Sequence, residues 1–281
     1  MIIDCHTHIN NYHREDVESL EGCLAELRKN MRRNRIDLSL ILTSYKVTPG
    51  RPSTKHVVEA TREMTDVYVV AGLSYMNFRP GDLVEIETYV KEGSVRGLKL
   101  YPGYEPFYPH DRKFDPVYEF AAKHGVPVMI HSGDTYSPSG KVKYSHPLQI
   151  DEVAVDHPGV NFVICHIGNP WIRDCMEVVY KNKNVHTDIS GLVLGNFSDR
   201  FEEYMRKQLQ EMLLFGVEPG KVLFGTDWPI SSMESYIEFM EDLALPQKEK
   251  KKILFENSLR VFRLDDAVSK LEPGGLKNLL M

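Results

Sequence analysis

Eight times along this 281-residue chain a short β-rich run gives way to a longer amphipathic stretch, with no low-complexity linker between them. The runs are residues 1–6, 38–43, 67–73, 95–101, 126–131, 160–166, 185–189 and 222–227. The stretches with a helical period are 15–33, 54–64, 83–92, 116–124, 147–156, 172–181, 198–215 and 233–243. Parallel strands need a long crossover, usually a helix, so strict alternation predicts a parallel sheet. Eight units without a glycine-rich dinucleotide loop favour an α/β fold of the closed (β/α)8 TIM-barrel type over an open doubly wound sheet. Gly125 and Gly216 fall where helices should stop. We expect one barrel domain over residues 1–264, with residues 265–281 as a C-terminal helical tail packed on it.

In such a barrel the C-terminal ends of the strands meet on one rim, where residues distant in sequence become neighbours. Four of the expected strands end in residues suited to one cation. The first carries Asp4-Cys5-His6-Thr7-His8, and because alternate side chains on a strand share a face, His6 and His8 project together. His131 ends the fifth strand, His166 the sixth and Asp227 the eighth. Imidazole nitrogen and carboxylate oxygen form a donor set suited to Zn²⁺, and one that also serves Fe²⁺, Mn²⁺ or Co²⁺.

The same alternation places Asp4 beneath the site with His6, turns Cys5 and Cys165 toward the helices, and aims Lys99 inward with Gly97 and Tyr101. Asp188 and Trp228 stand at strand ends where a substrate could be touched, and His110 and His146 lie in rim loops. His13, His56, His124, His157 and His186 have no partner spacing and read as surface or capping residues. Asn169 reads as the cap of the helix after His166.

Composition narrows the function classes. A net charge of −6 disfavours nucleic acid or an anionic membrane as partner, and the run from Lys248 to Lys252 reads as a solvated helix face. No apolar run approaches the ~20 residues that span a bilayer, and the N-terminus has no signal-peptide pattern. Cys5, Cys23, Cys165 and Cys175 show no clustered spacing, so we expect four thiols in a reducing cytoplasm. Three connections after strands, residues 44–53, 102–113 and 132–146, are long for a barrel and carry Tyr104, Phe107, Tyr108, Tyr136 and Tyr144. With Tyr101 they suit a cover over a small organic substrate or, alternatively, a contact within a homodimer.

The chain resembles the amidohydrolase superfamily, in the branch of metal-dependent TIM-barrel enzymes related to aminocarboxymuconate semialdehyde decarboxylase. The resemblance rests on Asp4-Cys5-His6-Thr7-His8, Gly97-Leu98-Lys99-Leu100, Ile130-His131-Ser132-Gly133, Ile164-Cys165-His166-Ile167-Gly168 and Phe224-Gly225-Thr226-Asp227-Trp228-Pro229, with Asn257-Ser258-Leu259-Arg260-Val261-Phe262 near the end. It implies one divalent metal, Zn²⁺ first among the choices, held by His6, His8, His131 and Asp227, with His166 as the catalytic histidine beside it. Asp227 would take a proton from metal-activated water, and His166 would polarise a carbonyl or protonate a leaving group.

The reading favoured by these residues is hydrolysis of an amide, lactone or similar carbonyl of a small molecule. The alternative is a non-oxidative decarboxylase or hydratase, which would need a cation to grip a carboxylate, from among Lys99, Lys46, Arg51 and Lys141. Lys99 has three readings: a substrate anchor, a carboxylated bridge between two metals that would also recruit His166, or a structural ion pair.

Overall fold

The computed structural model describes residues 1–10 and 19–271. His13, residues 15–18 of the first expected helix and the tail beyond residue 271 lie outside the described residues. Eight parallel strands follow one another in sequence order around the sheet: β1 (Ile3–Thr7), β2 (Leu38–Leu42), β3 (Val67–Gly72), β4 (Val95–Leu100), β5 (Val128–Ile130), β6 (Phe162–Ile164), β7 (Val185–Asp188) and β8 (Val222–Leu223). The ring closes between the first and last strands, where Cys5 N donates to Phe224 O at 3.0 Å and Asp227 N donates to His6 O at 2.8 Å. The helices that cross back are α1 (Leu20–Arg33), α2 (Thr54–Thr61), α3 (Asp82–Glu92), α4 (Asp115–His124), α5 (Leu148–Asp156), α6 (Ile172–Lys181), α7 (Asp199–Phe215) and α8 (Met233–Asp242). Gly125 ends α4 at φ 63° and Gly216 ends α7 at φ 132°, conformations that a side chain would oppose.

Alternation along the strands divides the apolar core into two layers. Ile41, Val69, Leu98, Val128, Ile164 and Phe224 pack outward against the helices. Ile3, Cys5, Leu40, Val70, Met129 and Leu223 fill the barrel itself. After α8 the chain runs through α9 (Gln247–Lys251), α10 (Asn257–Phe262) and α11 (Asp265–Lys270). Val261, Phe262, Leu264 and Ala267 join the interior layer beside Ile3 and Leu38, the first residues of their strands. These last helices therefore stopper the end of the barrel opposite the rim. Lys250 corrects the expectation of a wholly solvated basic face: it is buried, and its Nζ donates to Glu241 O at 2.5 Å.

Strands β5, β6 and β8 stop short of the expected limits, so His131, His166 and Asp227 lie in the turns just past them. His166 (φ 63°), Ile167 (φ 45°) and Asp227 (φ 68°) adopt left-handed backbone. For residues with a β-carbon this costs about 1–3 kcal/mol each, and it persists only where surrounding contacts over-determine the geometry. The register of β1 against β2 shifts between Asp4 and Thr7. These departures overturn the expected facing of two cysteines. Cys5 and Cys165 both lie in the interior layer and not toward the helices, because the residues that leave the alternation are His6, through the irregularity in β1, and His166, through its left-handed turn after β6.

Among the described residues, no helix is long and apolar enough to cross a membrane.

Candidate metal centre

Three side chains converge at the rim. Ligand atoms of His6, His8 and Asp227 lie within 4.8 Å of one another, and all three residues are buried. His8 Nε2 stands 3.1 Å and His6 Nε2 3.5 Å from Asp227 Oδ1. The outward nitrogens of both rings are committed: His6 Nδ1 donates to Asp188 Oδ2 at 2.9 Å, and His8 Nδ1 donates to Leu42 O at 2.9 Å. A ring that gives its Nδ1 proton to an acceptor turns the Nε2 lone pair inward, which is how an outer partner prepares a histidine ligand. Two lone pairs thus aim at a carboxylate oxygen that is buried and has no hydrogen-bond partner. Such an arrangement is repulsive without a positive charge at its centre, and the donor set fits a divalent cation.

The electrostatics agree. Burial, assisted by the nearby Lys99 ammonium, pushes His6 down to about 3 against the pull of Asp188 and Asp227. Burial also lowers His166, and lowers His131 strongly. These rings are therefore neutral at physiological pH, as ligation requires. Burial alone would raise the Asp227 carboxyl, but His8, His6 and His166 hold it well below the usual carboxylate range.

Asp188 organises the centre from behind. It was expected to touch substrate, but it is fully buried. Its oxygens accept from the His6 ring, from His166 N at 2.9 Å and from Ser190 Oγ at 2.5 Å. Asp4 does not orient a ligand ring. It accepts from His6 N at 3.1 Å, Thr226 N at 3.0 Å and Thr226 Oγ1 at 2.7 Å, tying β1 to the turn that carries Asp227.

His166 and His131 form the far wall. The His166 ring centroid is 4.9 Å from that of His6 and 5.1 Å from that of His131. His166 Nδ1 donates to Ser190 O at 3.0 Å, so its Nε2 lone pair is also left for the site. His131 has the opposite arrangement, with Nε2 donating to Asp134 O at 2.9 Å, and it lies outside the tight triple.

Above the triple opens a cavity of about 320 Å³, lined in part by Tyr45, Arg51, Lys99, Tyr101, Tyr104 and Tyr136. The three long loops thus deliver a cation and several aromatic rings to the centre. Not every expected residue arrives. Phe107 stacks on Tyr75 in the core, His110 lies 5.3 Å from Tyr108, and His146 packs on Trp171. The Trp228 side chain packs against the outer core, while its carbonyl accepts from His8 N at 2.6 Å. Asn169 does not cap α6, whose N-cap is Trp171; it lines an adjoining pocket with Asp134 and Leu192.

Lys99 lines the cavity from β4, and its Nζ donates to Cys165 Sγ at 2.7 Å, so its partner is a thiol and not the carboxylate of an ion pair.

Ser190 and Gly191 escaped the sequence reading. Ser190 Oγ lies 2.9 Å from the Nδ1 atoms of both His6 and His166. A β-carbon on Gly191 would sit 2.6 Å from His166 Nδ1 and 2.8 Å from Asp227 Oδ2, at φ 61°. Their one sequence signal is a Ser-Gly pair just after Asp188, at the end of a predicted strand.

The amidohydrolase family model matches residues 3–264, and the chain belongs to that family. A gamma-resorcylate decarboxylase from Rhizobium sp. is 22% identical over 225 residues, covering 65% of this chain and 62% of that protein. The match therefore spans less than two thirds of the relative's length. Among solved structures, an uncharacterized TIM-barrel protein from Bordetella bronchiseptica superposes with a TM-score of 0.73 at 21% identity, covering 95% of this chain and 99% of its own. A 5-carboxyvanillate decarboxylase from Novosphingobium aromaticivorans, complexed with manganese, gives a TM-score of 0.67 at 12% identity over 94% of this chain and 96% of its own. At these identities the superpositions carry the fold.

Proposed function

We propose that this protein is a metal-dependent lyase that releases carbon dioxide from a small hydroxylated aromatic or unsaturated carboxylate. The observation that carries the reading is the cavity lining: Arg51 and Lys99 share with several tyrosines a chamber that opens on His6, His8 and Asp227. Arginine forms charge-assisted, often bidentate bonds with carboxylates. Tyrosine faces suit a planar ring. The decarboxylase relatives point the same way. The residue pattern by itself favours hydrolysis of a carbonyl, and the ionised Asp227 would serve as a base for that reaction too; Arg51 in the chamber tips the balance.

In this reading His6, His8 and Asp227 hold one divalent cation, with His131 as the fourth protein ligand. When bound, the cation supplies Lewis-acid charge that fixes the oxygens of the substrate. Arg51 grips the carboxylate, and the tyrosines orient the ring and exclude water. Asp227 accepts a proton as substrate binds and returns it to the carbon that bears the carboxylate. That C–H bond forms from the π electrons of the ring or double bond; the bond to the carboxyl carbon then breaks, its electron pair restores the π system, and carbon dioxide departs. His166, neutral and with its Nε2 lone pair aimed into the chamber, accepts a hydrogen bond from a substrate hydroxyl. We place the enzyme in the cytoplasm, since all four cysteines are thiols.

The test is to load the protein with Mn²⁺ or Zn²⁺ and offer dihydroxybenzoates, unsaturated dicarboxylates, lactones and N-acyl amino acids. Carbon dioxide release from the carboxylates is expected. Hydrolysis of a lactone or amide with no carbon dioxide from any carboxylate would overturn the assignment.

A further inference from the structure

A thiol lies at the centre where strand alternation predicts none. Cys165 Sγ, a ring nitrogen of His6 and one of His166 lie within 4.8 Å of one another, a second three-ligand group that has His6 in common with the first. Cys165 is fully buried, and the buried Lys99 donates to its sulfur. His6 Nδ1 is committed to Asp188, so His6 has one lone pair to offer, and one lone pair serves one cation. The two groups are therefore alternatives for a single ion. The first presents two imidazoles and a carboxylate, and the second presents two imidazoles and a sulfur. Carboxylate oxygen suits Mn²⁺, whereas thiolate suits thiophilic ions.

We propose that Cys165, His6 and His166 form a second, thiophilic cation site, on which Cd²⁺ settles, whereas Mn²⁺ takes the His6, His8 and Asp227 group instead. Binding exchanges the thiol proton for the metal: the S–H bond breaks, the proton leaves to solvent and the sulfur pair forms the bond to the cation. Lys99 then donates its N–H to the thiolate. Asp188, linked to the His6 ring and to His166 N, supplies compensating negative charge. An ion on this group takes His6 from the first group and occupies His166. Cd²⁺ should therefore inhibit the Mn²⁺-loaded enzyme, a consequence that rests on the function proposed above, although the site itself does not.

The experiment loads the full-length protein with cadmium and records its cadmium NMR resonance, with bound metal counted by elemental analysis. A resonance in the range of sulfur-ligated cadmium is expected for the unaltered protein. It should be lost in Cys165→Ser and kept in Cys5→Ser, with both variants still binding one Mn²⁺ by electron paramagnetic resonance. Lys99→Met should keep the resonance but bind cadmium more weakly.

A resonance in the nitrogen and oxygen range at one bound cadmium per chain would overturn the inference, and so would a sulfur-type resonance that survives in Cys165→Ser. Should Cys165→Ser fail to fold, the unaltered protein and Cys5→Ser decide: a sulfur-type resonance lost in Cys5→Ser names the wrong thiol. Failure of any divalent ion to bind would remove the metal-dependent reading and this site together, an outcome distinct from bound cadmium without sulfur.

Discussion

At the end of the barrel where the strands begin, Phe262, Leu264 and Ala267 seal the interior with apolar contacts against Ile3 and Leu38. At the other end His6, His8, Asp188 and Asp227 are just as thoroughly buried, yet they are polar, and the backbone at His166 and Asp227 is left-handed. The closed end stabilises through removal of apolar surface from water, which is non-directional and tolerant of detail. The rim is held by directional bonds in low dielectric, where a lost partner leaves a charge or a donor stranded. Damage at the two ends should therefore differ in kind: stability should fall at one and chemistry at the other.

The largest effect belongs to the rim. Asp227→Asn should lower turnover by about 10³-fold and weaken the bound cation, since it removes both a ligand and a proton carrier. His166→Ala should lose a comparable share of turnover yet still bind Mn²⁺ on the first group; metal analysis beside activity separates the two variants. If His166→Ala lost Mn²⁺ as well, its assignment as a proton or substrate contact would fall.

At the closed end, Phe262→Ala should cost about 3–5 kcal/mol in urea unfolding. Activity per folded, metal-loaded molecule should stay close to that of the unaltered protein. A loss of turnover as large as that of Asp227→Asn would erase the distinction between the two ends.

His186, the second residue of β7, sharpens the comparison with pH. It was expected at the surface, but it is buried, and its Nδ1 has no partner. Burial, with Lys221 and Arg260 adding to it, pushes this ring down to about 3. In the unfolded chain it titrates near ~6.5. As pH falls below that value the unfolded chain takes a proton that the folded one refuses, so stability declines toward acid. His186→Leu should make that decline shallower, with the difference reaching about 3 kcal/mol by pH 4 in unfolding curves. An unchanged slope would show that the ring is protonated in the folded state.

The smallest effect tests the chamber. Arg51→Ala should cost about 2 kcal/mol in kcat/KM for a carboxylate substrate, with stability unchanged. Equal losses for substrates with and without a carboxylate would argue against Arg51 as the anchor.

Much of the rim was legible because strand ends and barrel order are one-dimensional properties. His6, His8 and Asp227 sit at predicted strand ends, and closure of an eight-stranded ring brings the first and last strands together. The errors cluster where the backbone leaves regular geometry. Alternation fails across the register shift in β1 and in the turn after β6, so Cys5 and Cys165 were assigned the wrong face. Asp188 was placed at the correct strand end but given the wrong role, because which way its carboxylate turns depends on His6 and Ser190 beside it.

The sequence by itself determined the barrel, its apolar core and the donor types available at its rim, since hydrophobic period and residue chemistry are carried in the order of amino acids. The tertiary structure alone decided which nitrogen each histidine presents, that Arg51 shares a chamber with Lys99, and that Cys165 joins the centre. Those outcomes follow from contacts between residues far apart in the chain and from left-handed turns, and neither leaves a period in the sequence to read.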